Sequence, residues 1–340
     1  MHWSVTRLLK PGQLRAALLL AALWLSPMAG LAQTLKASEF RIRDPFIHPD
    51  PRSRTYYLYA QSGNRKNSGY RGVEVYSSKD LVNWSGPQPV LSLPKQSNVV
   101  MVWAPEVHAY RGHYYLLVTL TTRDPPQSKP PAGANRPQPL QRGVYVFRAT
   151  SPLGPFRSVS SGPVTPEAWM SLDGTLFVEN GSPTMVFAHE WIQVIDGTIN
   201  VLRLKPDLSA PVGKPQLLFK ASAAPTSKPN LKHDKVTDAP FLYRSPKSGK
   251  LFMTWSTLTP HGGYVVILAE SKSGRINGPW IQQRVIHQED GGHAMIFRTF
   301  DGRLLLALHK PNHGTERLRL YNLEDNGDTL TITSPLPGTP

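Results

Sequence analysis

Three aspartates, each in its own short motif, carry the clearest chemical signal in this 340-residue chain. Asp44 lies in Ile42-Arg43-Asp44-Pro45-Phe46, Asp173 in Ser171-Leu172-Asp173-Gly174, and Asp238 in Val236-Thr237-Asp238-Ala239-Pro240-Phe241. All three fall at the edges of aromatic and β-branched runs, where a strand end can aim a carboxylate into a shared cleft. Two carboxylates facing across a substrate can serve as general acid and general base, and a third can tune their protonation. Cleavage of a glycosidic bond needs that equipment. Taken singly, each motif also reads as a turn: Asp44 precedes a proline, Asp173 a glycine, and Asp238 an Ala-Pro pair. A second Arg-Asp-Pro, at Arg123-Asp124-Pro125, is read as a turn.

A fourth carboxylate, Glu190 in His189-Glu190-Trp191, is an alternative proton donor. Trp103 offers an aromatic face on which a sugar ring can stack, and Glu106 nearby can order the site or meet sugar hydroxyls. His189 and His293 complete the expected substrate contacts. His293 follows Gly291 and Gly292, which allow close backbone approach. No set of His, Cys and carboxylates stands at zinc spacing, and neither a phosphate-cradling loop nor a serine nucleophile elbow is present.

The elements available to position these groups are strands. Runs at Thr55–Ala60, Val73–Ser77, His113–Thr122, Gly143–Arg148, Thr184–Ala188, Leu251–Trp255, Tyr264–Ala269 and Leu304–His309 are separated by Gly, Pro, Asn, Asp and Ser clusters. The 33 prolines disfavour helices. A turn ending on an apolar residue recurs: Ser78-Lys79-Asp80-Leu81-Val82-Asn83-Trp84, Ser151-Pro152-Leu153-Gly154-Pro155-Phe156, Lys205-Pro206-Asp207-Leu208, and Ser273-Gly274-Arg275-Ile276-Asn277-Gly278-Pro279-Trp280. The recurrence predicts an all-β chain of four-stranded units, a five-bladed β-propeller, with a pair of β-sandwiches as the alternative. Asp124 to Arg142 departs from the pattern as a Pro-rich loop that is either a cover for the cleft or a plain surface excursion.

The first 32 residues read as a secretory signal: Arg7, Lys10 and Arg15, then the apolar run Ala16 to Leu25, then Gly30-Leu31-Ala32. About ten apolar residues are too few for a membrane core that takes roughly 20. Residues 33–340 are expected to form one catalytic propeller, secreted or periplasmic, with no membrane contact after signal cleavage. The chain has no cysteine, so its core must hold without disulfides. A formal charge of +15 is read as a solvated basic surface, with an acidic partner such as nucleic acid, a lipid head group or a uronic-acid polymer as the alternative. No long basic run supports nucleic-acid binding, and the oligomeric state is not legible.

In their order, four motifs resemble glycoside hydrolase family 43, the five-bladed propeller glycosidases. Arg43-Asp44-Pro45-Phe46 is similar to its general-base motif and Trp103-Ala104-Pro105-Glu106-Val107 to its second-blade signature. Leu172-Asp173-Gly174 with Phe177 is similar to the segment of its pKa-modulating aspartate, and Thr237-Asp238-Ala239-Pro240-Phe241-Leu242-Tyr243 to that of its general acid. Asp290-Gly291-Gly292-His293-Ala294-Met295-Ile296-Phe297 resembles a fifth-blade segment whose histidine stands near a central calcium or sodium ion, reached through water. The resemblance spans about Phe40 to Pro311. It implies an inverting hydrolase of oligo- or polysaccharides acting on α-L-arabinofuranosides first, then β-xylosides or galactofuranosides. No cofactor is required, and an axial ion at His293 is optional. Two departures are plain. The family's acid is usually a glutamate before Gly-Pro, and here the shorter Asp238 precedes Ala-Pro. His189-Glu190-Trp191, outside the commonest family pattern, supplies a glutamate that could replace or assist Asp238. A non-catalytic carbohydrate-binding propeller is the alternative function.

Overall fold

The protein is described from a computed structural model covering residues 34–65, 68–124, 140–226 and 235–339. The expected signal and most of the Pro-rich loop lie outside these residues. Five separate antiparallel sheets follow one another along the chain, which rules out the sandwich pair. Blade I is Phe46–Asp50, Thr55–Gln61, Arg71–Ser78 and Asn83–Leu93, with Thr34–Lys36 added on its outer edge. Blade II is Val99–Tyr110, His113–Thr122, Arg142–Ala149 and Arg157–Ser158. Blade III is Ser171–Glu179, Ser182–His189, Thr198–Leu204 and Pro211–Lys220. Blade IV is Asp238–Arg244, Leu251–Leu258, Tyr264–Ser271 and Trp280–His287. Blade V is Gly292–Arg298, Leu304–Lys310, Arg317–Asp325 and Leu330–Pro335.

The first strand of every blade contacts the first strand of the next, and that of blade V returns to that of blade I, so five strands wall a central channel. Their N-terminal ends all open at the same mouth. The second and third strands are sandwiched between neighbouring blades, which is why they read as apolar runs: Leu251–Thr257 and Val265–Ala269 are buried throughout. The recurring turn joins the third strand to the fourth in blades I to IV. It drops Leu81, Leu208 and Ile276 into the interior, with Trp84, Phe156 and Trp280 following. Burying a side chain of this size contributes about 1.5–3 kcal/mol.

Among the described residues no strand is exchanged between the first and last blades, and contacts around Glu316 pin the seam. Arg41 forks onto Glu316 at 2.6 and 2.9 Å, Arg43 reaches the same carboxylate at 3.3 Å, and the Ile42 amide donates to the Glu316 carbonyl at 3.1 Å. Buried Glu316 is thereby held down to about 2: burial pushes its carboxyl up, but the hydrogen bond from Arg41 and the two guanidinium charges outweigh it.

Candidate active site

Each blade presents one residue with left-handed backbone in or just before its first strand: Asp44, Ala104, Asp173, Ala239 and His293, with φ of 54, 44, 54, 48 and 54°. Asp44 precedes its strand, Ala104 is midway along Val99–Tyr110, and the others lie near the start. Pairing between the first and second strands slips at this place in blades II to V. A bulge of this kind bends the strand and re-aims a side chain. Aspartate and histidine tolerate the left-handed region better than most residues, and here they point toward the axis. The bulge amides are anchored on the preceding blade. Asp44 N–H donates to His309 Nδ1 (3.2 Å), Asp173 N–H to Thr119 Oγ1 (2.9 Å), Ala239 N–H to Asp173 Oδ2 (2.9 Å) and His293 N–H to Ser256 Oγ (3.0 Å). The carboxylates are thus held by long-range contacts around the ring rather than by their own turns.

In blade IV the bulge position is Ala239, and Asp238 stands one residue earlier. That offset turns Asp238 toward Tyr264, whose hydroxyl donates to Asp238 Oδ2 at 2.6 Å. Gly292 makes this possible: a Cβ there would lie 2.2 Å from the Tyr264 ring. Gly174 has a similar duty, since a Cβ would sit 2.7 Å from Val144.

The three aspartates meet around His293. Its Nδ1 is 3.2 Å from Asp44 Oδ1 and 3.8 Å from Asp173 Oδ2. Asp173, Asp238 and His293 each bring a polar atom into a group spanning no more than 4.8 Å, and Asp173 and Asp238 share a hydrogen bond. Burial alone pushes Asp44 up, but the His293 and Arg43 charges prevail and hold it far below the usual carboxylate range. Asp173 goes the other way: burial and then the neighbouring Asp238 charge push it well up. His293 is also buried, which disfavours its charge, yet Asp44 prevails and raises its pKa. His309 behind Asp44 is wholly buried and held down to about 4, chiefly by burial, so it stays neutral and accepts the Asp44 amide proton. Its ring stacks on Tyr264 with centroids 5.7 Å apart.

Glu190 is placed differently. It is buried and binds Arg142 Nη1 at 2.5 Å. Arg142 also donates to Thr121 Oγ1, as does Trp103 Nε1, and the guanidinium lies over the Trp103 ring at 5.6 Å. This rim joins blades II and III. His189 stacks on Trp169 at 4.2 Å and bonds Gln193 at 2.6 Å; burial lowers its pKa. Glu106 is buried in the channel wall against His108 Nε2 at 2.8 Å. Trp103 remains half-exposed. Two residues of the site, Tyr264 and His309, carried no signal beyond their strands: each stands at a strand end in blades IV and V and reaches the aspartates only through the fold.

A calcium or sodium ion could use Asp173, Asp238 and His293. Calcium takes six to eight oxygens, so water would have to complete its shell. Protonated His293 and a bound cation are alternative sources of the positive charge that Asp44 and Asp173 face.

Residues 38–331 match the family described as Glycosyl hydrolases family 43. The chain belongs to this family. The family 43 chain is 34% identical to a solved endo-arabinase from Bacteroides thetaiotaomicron, covering 90% of this chain and 98% of that one with a TM-score of 0.72. It is 23% identical over 343 residues to the extracellular exo-α-(1→5)-L-arabinofuranosidase of Cellvibrio japonicus, covering 90% of each. A solved endo-1,4-β-xylanase from Bacteroides thetaiotaomicron, 21% identical with a TM-score of 0.68 over 89% of this chain and 97% of that one, shares the fold. The family 43 propeller is therefore a glycosidase, and its substrates are oligo- or polysaccharides. Among the described residues no helix is long and apolar enough to cross a membrane.

Proposed function

We propose that the protein is an exported, inverting α-L-arabinofuranoside hydrolase. The observation that carries the mechanism is the meeting of Asp44, Asp173 and Asp238 around His293, with Asp44 pushed toward its ionised form and Asp173 toward its protonated form. Asp44 takes a proton from the attacking water. A proton is held within the Asp173–Asp238 hydrogen bond. Asp238 is the less buried of the two, and in this reading it is the one that passes the proton to the departing oxygen. Tyr264 fixes the orientation of Asp238, which offsets the shorter reach of aspartate. Glu190 keeps Arg142 and Trp103 in place as a wall for the sugar and transfers no proton. Water enters opposite the leaving group, so the anomeric centre inverts. A calcium or sodium ion, when bound, supplies positive charge on the axis beside His293.

Arabinofuranose stands first because two relatives spanning nearly the whole chain are named for arabinan-type substrates. The leader-like residues 1–32 and the extracellular relative support export. Hydrolysis of a panel of aryl α-L-arabinofuranosides, β-xylosides and β-galactofuranosides by the purified protein tests the reading. The arabinofuranoside should have the highest kcat/KM. A higher value on another member changes the substrate, and no hydrolysis of any member returns the fold to a binding role.

A further inference from the structure

Beside Arg43, between blades I and II, lies a cavity of about 740 Å³ at the same mouth of the propeller as the aspartates. Arg41, Arg43, Arg71 and Lys95 line it together with Tyr70 and Trp103, and among the described residues no carboxylate does. The acids close beneath are buried and already engaged: Glu316 by Arg41 and Arg43, Asp44 by Arg43 and His293, and Glu74 by Arg65 and the Tyr70 hydroxyl. Arg71 gives one guanidinium N–H to the Val99 carbonyl, which fixes its direction. Neither Arg71 nor Lys95 has an ion-pair partner among the described residues. A neutral arabinan gives no reason to bring Arg71 and Lys95, neither of them ion-paired, beside Arg41 and Arg43 at the edge of a sugar cleft. Gathering like charges costs stability, and desolvated, pre-oriented guanidinium groups bind planar anions best.

We propose that this cavity is an anion subsite. It takes a negatively charged residue of the saccharide whose bond is cut at Asp44 and Asp238, so the inference rests on the hydrolase reading above and narrows its substrate to acidic glycans. Arg43 links the two regions: it lines the cavity and lies 3.6 Å from Asp44 Oδ1. An acidic sugar seated there would stand immediately next to the sugar being cleaved. Trp103 would stack on a ring face, and Arg71 and Lys95 would take the charge. The bound anion is a uronate carboxylate or a sulfate ester, two forms of the same recognition.

Isothermal titration of the full protein with trigalacturonate, and with the same trisaccharide fully methyl-esterified, reads the subsite whether or not arabinofuranosides are cleaved. The acid should bind at least tenfold more tightly than the ester at low salt. That advantage should vanish near 1 M NaCl, where the screening length is about 3 Å. In the double variant Arg71→Gln/Lys95→Gln the advantage should fall to twofold or less, while circular dichroism shows the propeller intact. A sulfated galactose disaccharide in the same titration separates the two anions; tighter binding of either supports the subsite. Equal affinity for acid and ester, or an undiminished advantage in a folded double variant, overturns it. Failure of the aryl-glycoside panel would instead overturn the hydrolase reading and leaves this titration to stand alone.

Discussion

Asp44 and Asp173 occupy the same place in blades I and III. Both have φ of 54°, and both are 5% exposed. Their protonation nonetheless diverges: Asp44 is driven down and Asp173 up. Burial is common to both and so decides nothing between them. Asp44 faces His293 at 3.2 Å with Arg43 and His309, whereas Asp173 has His293 farther off at 3.8 Å and faces Asp238 and Asp44 itself. A propeller repeats one backbone device around a ring, and the neighbours supplied by adjacent blades drive one copy toward its ionised form and another toward its protonated form, the states that the proposed mechanism asks of a base and of a reservoir for an acid.

The largest expected effect comes from removing the base. Asp44→Asn should cut kcat by roughly 10²–10⁴-fold or more, with melting behaviour close to wild type. Activated leaving groups should not rescue it, because water still needs a proton acceptor. Turnover measured on purified, folded variant checks this, and wild-type turnover would move the base elsewhere.

Next comes the contrast between Asp238 and Glu190. Asp238→Asn should spare aryl substrates with acidic phenols and nearly abolish cleavage of arabino-oligosaccharides. Glu190→Gln should give a milder, uniform loss through a disturbed Arg142 and Trp103. Rates on one activated and one unactivated substrate are sufficient. A leaving-group-dependent loss in Glu190→Gln alone would exchange their roles.

A smaller effect is expected at Tyr264. Tyr264→Phe removes the hydroxyl that orients Asp238 and should lower kcat on oligosaccharides by about tenfold, in line with the roughly 1–1.5 kcal/mol net value of one hydrogen bond, with KM nearly unchanged. The smallest effect is on the ring seam. Glu316 has its carboxyl lowered from 4.5 to about 2 in the folded protein. The stability it contributes is therefore present above about pH 4.5 and fades as pH falls toward 2. Glu316→Gln should lower the melting temperature at pH 7 by a few degrees, and the gap to wild type should close in acid. A constant gap from pH 7 to 2 would separate the seam from this ionisation.

The strands legible in the sequence were second and third strands. The runs at Thr55–Ala60, Val73–Ser77, His113–Thr122, Gly143–Arg148, Thr184–Ala188, Leu251–Trp255, Tyr264–Ala269 and Leu304–His309 all fall inside such strands, since those are covered on both faces and read as unbroken apolar runs. Innermost strands were hidden by their bulges and prolines, as at Asp44-Pro45 and Ala239-Pro240. Outermost strands are exposed and proline-bearing, as in Asn83–Leu93 with Pro87 and Pro89. The aspartates themselves were legible because each carries a local motif. Tyr264 and His309 were not: Tyr264 is 26 residues from Asp238, and His309 is 265 from Asp44. Nor was the pairing of Arg41 and Arg43 with Glu316, which exists only because the ring closes there. The one-residue offset of Asp238 from the bulge was visible as Asp-Ala-Pro, but its meaning required Tyr264 beside it.

The divergence of two like aspartates is tested most directly by a two-by-two rate comparison. Asp44→Asn and Asp173→Asn are each assayed on an aryl α-L-arabinofuranoside with an acidic phenol and on an unsubstituted arabino-oligosaccharide. Asp44→Asn should lose both activities by a similar factor. Asp173→Asn should lose the oligosaccharide activity at least tenfold more than the aryl activity, because it acts only through the proton given to the leaving group. Equal losses in both variants, or leaving-group dependence in Asp44→Asn instead, would contradict the division between a base in blade I and, in blade III, the reservoir that serves the blade IV acid.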